Sequence, residues 1–193
     1  MVKIEAEGQE IVYSLERLSR LMRAGEFGDG LNPAQWEALR FVARANRFSN
    51  SPGALTRYLG ATKGTISQTV KALERKKLIA KAERPGEKRS IVLELTEAGR
   101  AMMAQDPWGA LATACEELGG KTRRRMDKGL ADLLTGEIAR RQGPTFGVCK
   151  SCRFWREQGR SADEAGPHLC MLYDVPISAA EATQICVAHE ARS

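Results

Sequence analysis

Apolar residues recur at helical spacing from near the start of the chain. In "QEIVYSLERLSRLMRAG", Ile11, Leu15, Leu18 and Met22 share one face, which predicts an amphipathic helix ending at Gly25. "LNPAQWEALRFVARANRF" opens a second helix, with Asn32 as N-cap and Pro33 at the first helical position. "SPGALTRYLG" repeats this grammar with Ser51 and Pro52, and Gly60 closes a short helix. In "ATKGTISQTVKALERKKL", Thr62 caps the next one. Ile66, Val70 and Leu73 form its apolar face, while Lys63, Thr65, Ser67, Gln68, Lys71 and Arg75 form the other. Two β-rich runs follow, Leu78–Ala82 and Ser90–Leu95, flanking the charged turn "ERPGEKR" with Pro85–Gly86 at its tip. Thr96 then caps a return to helix. Two further stripes complete this part. One is Leu111, Ala114/Cys115 and Leu118, ended by Gly119–Gly120; the other is Met126, Leu130, Leu133/Leu134 and Ile138.

Two short helices with a tight turn, the second polar and basic outward, read as a helix-turn-helix. A basic hairpin directly after such a helix reads as a wing. The expected fold is mainly α with a small β wing. It comprises a helical dimerisation region (1–30 and 104–142), a winged helix-turn-helix unit (31–103) and a small cysteine-rich appendage (143–193).

Charge sharpens this picture. The chain of 193 residues carries a net +6, but residues 145–193 hold only five Lys/Arg against six Asp/Glu, so the first 144 residues carry +7. A basic body suits a polyanion, and hydroxyl, amide and ammonium side chains on one helix suit base edges and phosphates. No apolar run approaches the ~18 residues of a membrane span, and "MVKIEAEGQE" is charged where a signal peptide is apolar. The reading is a cytoplasmic protein with no membrane partner, in a compartment where structural disulfides are not expected. There is no Ser/His/Asp set and no Gly-rich phosphate loop, so no enzyme is read here.

The stretch from about Leu31 to Met103 resembles the MarR family of winged helix-turn-helix regulators. The resemblance is carried by "LNPAQWEALR", "LTRYLGATKGTISQTVKALERKKLI", "RPGEKRSIVLELTEAGR" and the interrupting Pro107, and extends loosely over residues 1–142. That family's wing carries an acidic residue, any residue, then Arg. Glu87-Lys88-Arg89 fits, with Glu in place of the usual Asp. The resemblance implies that Arg89 reaches the minor groove, whose narrow form concentrates negative potential. It also implies a homodimer, built on the first and last helices, that binds palindromic double-stranded DNA, and it leaves open a small aromatic ligand. Among the DNA-facing residues, Thr65, Ser67 and Gln68 are expected to read bases. Lys63, Lys71, Lys88 and Arg89 are expected to meet phosphates or the minor groove.

The last fifty residues are chemically different. Four of the five cysteines and both histidines lie there, as Cys149-x2-Cys152-x17-Cys170-x15-Cys186-x2-His189. So short a segment buries little surface alone, and a metal centre would stabilise it. Three readings fit the spacing. The first is an iron–sulfur cluster on Cys149, Cys152, Cys170 and Cys186, shielded by Phe146, Phe154, Trp155 and Tyr173. Its order of one close pair then two single cysteines is similar to high-potential iron–sulfur proteins, although Gln184–Ile185 stands where those have Gly-aromatic. The second is Zn2+ on Cys149, Cys152, Cys186 and His189. The third is a set of free thiols that senses oxidation. Cys115, on an apolar stripe, is read as structural, and His168 and His189 as surface or supporting residues. A different class, a redox enzyme or electron carrier using the winged helix as a scaffold, would show no specific operator. The tail follows the last dimerisation helix, so a change in the centre is expected to act on the spacing of the two recognition helices.

Overall fold

The computed structural model describes residues 6–27, 30–84, 87–160 and 162–192. Helix α1 (Ala6–Ala24) runs into a 3₁₀ turn at Gly25–Phe27. Helices α2 (Pro33–Arg44), α3 (Pro52–Leu59) and α4 (Lys63–Arg75) then pack around one core. Their boundaries follow local chemistry. Asn32 Oδ1 accepts from Gln35 N at 2.9 Å and the Gln35 side chain returns to Asn32 N, a capping box. Ser51 and Thr62 accept from Ala54 N and Thr65 N in the same way. Gly60 ends α3 at φ 61°, a left-handed conformation that glycine adopts without penalty.

Strands β1 (Ile79–Arg84) and β2 (Glu87–Leu95) form an antiparallel hairpin registered from Ile79 opposite Leu95 to Arg84 opposite Glu87. Both strands are longer than the apolar runs Leu78–Ala82 and Ser90–Leu95 predict. Paired backbone carries the ladder through charged residues that hydrophobicity does not mark. The Pro85–Gly86 tip lies outside the described residues, as do the side chains of Lys88 and Arg89. Helix α5 (Glu97–Met103), capped by Thr96, crosses the base of this hairpin. At Gly99 an added Cβ would stand 2.0 Å from the Leu78 carbonyl oxygen. Gly99→Ala is therefore expected to cost at least ~1–3 kcal/mol, the range of overpacking against atoms that cannot swing away. Urea unfolding of the variant checks this; an unchanged midpoint would refute the packing.

Helices α6 (Gly109–Glu117) and α7 (Gly120–Arg140) contain no buried residue. The sequence assigns Gly119–Gly120 to the end of the earlier helix, but Gly119 is the N-cap of α7 and Gly120 already lies within it. Leu130, Leu133 and Leu134 of α7 and Ile11, Leu15 and Leu18 of α1 are all exposed in the single chain. Cys115 is half-buried.

α1 and α6 are fastened to the core by a charged knot. Arg40 of α2 hydrogen-bonds Asp106 through Nε (2.8 Å) and Nη2 (2.6 Å), and Glu26 through Nη1. Trp108 Nε1 donates to Glu26 at 2.8 Å, and the guanidinium sits 4.8 Å from the Trp108 ring centroid. Glu26 is 1% exposed.

The tail folds as a three-stranded antiparallel sheet, β3 (Trp155–Arg156), β4 (His168–Cys170) and β5 (Val175–Ile177), in the order β3-β4-β5. It does not stand apart. Ile185 is 5% exposed within the helical core, and Phe146 packs on Tyr58 at 5.0 Å and Phe41 at 6.4 Å.

Candidate nucleic-acid interface and cysteine site

The polar face of α4 is laid out as its period requires. Ile66, Val70 and Leu73 are buried, with Thr69 beside them donating to the Thr65 carbonyl at 3.0 Å. Lys63, Thr65, Ser67, Gln68 and Lys71 are all exposed. Thr65 Oγ1 lies 2.9 Å from Thr62 Oγ1 at the cap, so its hydroxyl is partly engaged within the helix. The five side chains share the solvent-facing side of α4, a basic and hydrogen-bonding strip.

The cysteines converge. Cys149, Cys152, Cys170 and Cys186, far apart in sequence, line one apolar gap of about 20 Å³, room for one water-sized body. All four are free thiols, and Cys149 and Cys152 are buried. The local fold explains the convergence. Cys149 and Cys152 bracket a 3₁₀ turn, with Cys152 N donating to Cys149 O at 2.8 Å. Cys170 is carried by β4 opposite Trp155, and Cys186 is held by a bridge to Gly147. Among the described residues, no group of three or more His, Cys, Asp or Glu side chains is arranged to hold a metal ion. The thiols surround the gap without being drawn onto one point.

Electrostatics mark Cys149. Burial first, then the neighbouring Cys186, Cys170 and Cys152 and finally Glu181, pushes its thiol up to about 11. At neutral pH it stays protonated, and only a cation in the gap would favour the thiolate. Trp155 also lines the gap, and its buried Nε1 has no hydrogen-bond partner among the described residues. A buried N–H without an acceptor is costly and calls for an explanation at the site itself.

Of the predicted shielding aromatics, Phe154, Trp155 and Tyr173 line the gap, whereas Phe146 turns into the helical core. Asn46 and Phe48, from the loop between α2 and α3, complete the wall. Nothing in "RANRFSN" marks them, because their role depends on a tail that arrives more than a hundred residues later. His189 does not line the gap. Its Nε2 lies 2.9 Å from Ser151 Oγ and its ring fills the space beside Gly147. Burial holds its pKa below the ordinary imidazole value, with Ser151 acting the other way. His168 is buried too, its Nδ1 accepting from Gln158 N at 3.3 Å and its ring 5.2 Å from Trp155. Both histidines, expected at the surface or in support, are interior packing groups.

A separate opening of about 590 Å³ lies between α3, the end of α7 and residues 143–148. Tyr58, Leu134, Ile138, Phe146 and Ile185 give it apolar walls, and Arg44 and Arg57 stand at its side.

Comparison with known proteins agrees with this architecture. Residues 29–90 match the MarR family. CouR from Rhodococcus jostii, solved bound to p-coumaroyl-CoA, is similar with a TM-score of 0.53 at 17% identity, over 67% of this chain and 95% of that one. A MarR transcriptional regulator from Methanosarcina mazei is similar with a TM-score of 0.53 at 18% identity, over 70% and 99%. A mutant of MepR from S. aureus gives 0.52 at 18%, over 69% and 98%. No curated protein matches. The likeness to these solved chains establishes the fold as that of MarR-type winged-helix proteins. Each is covered almost end to end, while about a third of this chain lies outside each match.

Proposed function

We propose that this chain is a cytoplasmic DNA-binding transcription regulator that acts as a homodimer on a palindromic operator. We further propose that its DNA affinity responds to iron or redox state through a centre on Cys149, Cys152, Cys170 and Cys186. The observation that carries the DNA reading is the single exposed face of α4, with Lys63, Thr65, Ser67, Gln68 and Lys71 beside the wing. The stripes of α1 and α7 support the dimer, since Ile11, Leu15, Leu18, Leu130, Leu133 and Leu134 are exposed in the single chain and two recognition helices must meet half-sites about one helical turn apart.

Sequence-pool selection followed by gel shift tests the DNA reading. Gln68→Ala is expected to cost ~1–3 kcal/mol and relax preference at one base pair. Lys71→Ala is expected to weaken all duplexes alike and lower the salt slope by about 1. Failure to select any sequence would favour the electron-carrier reading.

For the centre, the donor set is what fits: four free thiols around one apolar gap, with an unpartnered Trp155 N–H in its wall. An iron–sulfur cluster would be held by the four thiolates around this gap, and it would supply one-electron chemistry or sensitivity to iron supply. The chain's own part is to hold four sulfurs and exclude water with Phe154, Trp155 and Tyr173. The small volume of the gap favours a second reading, Zn2+ on the same four thiolates. His189 does not line the gap, and its Nε2 lies 2.9 Å from Ser151 Oγ while its buried Nδ1 has no partner among the described residues. A free-thiol oxidation sensor remains the reading if neither metal is retained. The opening beside Arg44, Arg57 and Tyr58, with its apolar walls, would suit a small aromatic ligand.

A further inference from the structure

We propose that the loop between α2 and α3, residues 45–50, reads the state of the thiol gap, so that the centre acts on the DNA-binding unit within one chain. The inference rests on the metal centre proposed above and names its route of action. The gap is not contained in the tail, because Asn46 and Phe48 supply part of its wall. Phe48 stacks on Tyr173, which lines the same gap, at 4.3 Å and 14°.

The ligand Cys186 is pinned to this loop on both sides. Its predecessor Ile185 donates from N to Arg44 O at 2.7 Å and accepts from Asn46 N at 3.0 Å. Its successor Val187 donates from N to Ser49 Oγ at 2.8 Å. Arg47 adds a hydrogen bond to Pro176 O at 2.6 Å and an ion pair with Glu181 at 3.2 Å. A displacement of the Cys186 sulfur therefore loads the loop through backbone groups that have no slack.

The loop in turn is tied to the wing strand and to α3, the helix that packs against α4. Asn46 Oδ1 accepts from Phe48 N at 3.1 Å and from Ser49 Oγ at 2.8 Å, and Asn46 and Ser49 are both buried, so the loop moves as a unit. Asn50 O accepts from Leu93 N of the wing strand at 2.6 Å. Ser51, the next residue, caps α3. The end of α7 meets the tail through residues 141–148, where Gly143 N donates to Ile138 O at 2.9 Å, beside the 590 Å³ opening. The loop, by contrast, is bonded directly to both neighbours of Cys186.

The test is hydrogen exchange read by mass spectrometry on the full chain, purified without oxygen. One sample keeps its metal, the other is stripped with a chelator, and iron, zinc and sulfide are measured on both. Stripping is expected to speed exchange at least tenfold at Asn46, Ser49 and Leu93, with α1 and α7 unchanged. In Ser49→Ala, metal content is expected to hold while the response at Leu93 falls. A change confined to the tail, or one that appears in α1 and α7, overturns this inference and leaves the metal centre standing. A chain that holds no metal under these conditions overturns both.

Discussion

Arg40→Ala is expected to destabilise the fold by ~3–5 kcal/mol, the cost of removing one partner from a buried ion pair. The arginine side chain is 16% exposed and answers two carboxylates at once, Asp106 at 15% and Glu26 at 1%. Without it, Glu26 keeps only the Trp108 indole on one oxygen, and its Oε2 already lacks a partner among the described residues. The knot also joins the turn after α1 to the start of α6, so the variant is expected to loosen α1 and α6 together. Urea unfolding with tryptophan fluorescence reads this directly through Trp36 and Trp108.

The same knot sets an acid limb. Burial tends to raise the Asp106 pKa, but hydrogen bonds from Arg40 and Trp108 N outweigh it and hold it below the ordinary 3.8. A depressed carboxylate contributes stability that is present above its unfolded value and lost as pH falls through the folded one. Wild-type stability should therefore decline below about pH 4, and Arg40→Ala should flatten that decline. An unchanged acid limb would mean the pairing contributes nothing.

Cys170→Ser is expected to lose the centre outright, whereas His189→Ala keeps it. A thiolate centre rarely survives with three of four ligands in a small segment, since binding energy and folding energy are the same quantity there. Cys170 lines the gap and His189 does not. Cys115→Ser, far from the gap on α6, serves as the silent control and should retain full metal. Retention in Cys170→Ser with loss in His189→Ala would restore the zinc pattern ending in His189.

Much of the helical architecture is legible from the sequence because its signals are local. Asn32–Pro33, Ser51–Pro52, Thr62 and Thr96 each mark a cap with chemistry complete within four residues, and each cap is present. The exposed polar face of α4 is legible for the same reason, since the 3.6-residue period separates the buried Ile66, Val70 and Leu73 from the exposed Lys63, Gln68 and Lys71. The four cysteines are confined to one span of the sequence and line one gap, but their role as ligands belongs to the proposal. What the sequence does not disclose is non-local: that Ile185 enters the helical core, that Phe146 leaves the thiol site for Phe41 and Tyr58, and that Asn46 and Phe48 join it. Each depends on where the tail docks, and docking has no period to read. The Arg40 knot was missed likewise, because Glu26, Arg40 and Asp106 are ordinary surface-type residues until three elements meet.

The most direct measurement is the visible spectrum and elemental analysis of the protein purified without oxygen. The protein is expected to be brown, with iron and sulfide stoichiometric with the chain and absent in Cys170→Ser; a colourless protein with stoichiometric zinc would replace the cluster by the second reading. A protein with neither metal, its four thiols freely titratable and its DNA affinity indifferent to chelators, would contradict the central claim that these cysteines form a regulatory centre.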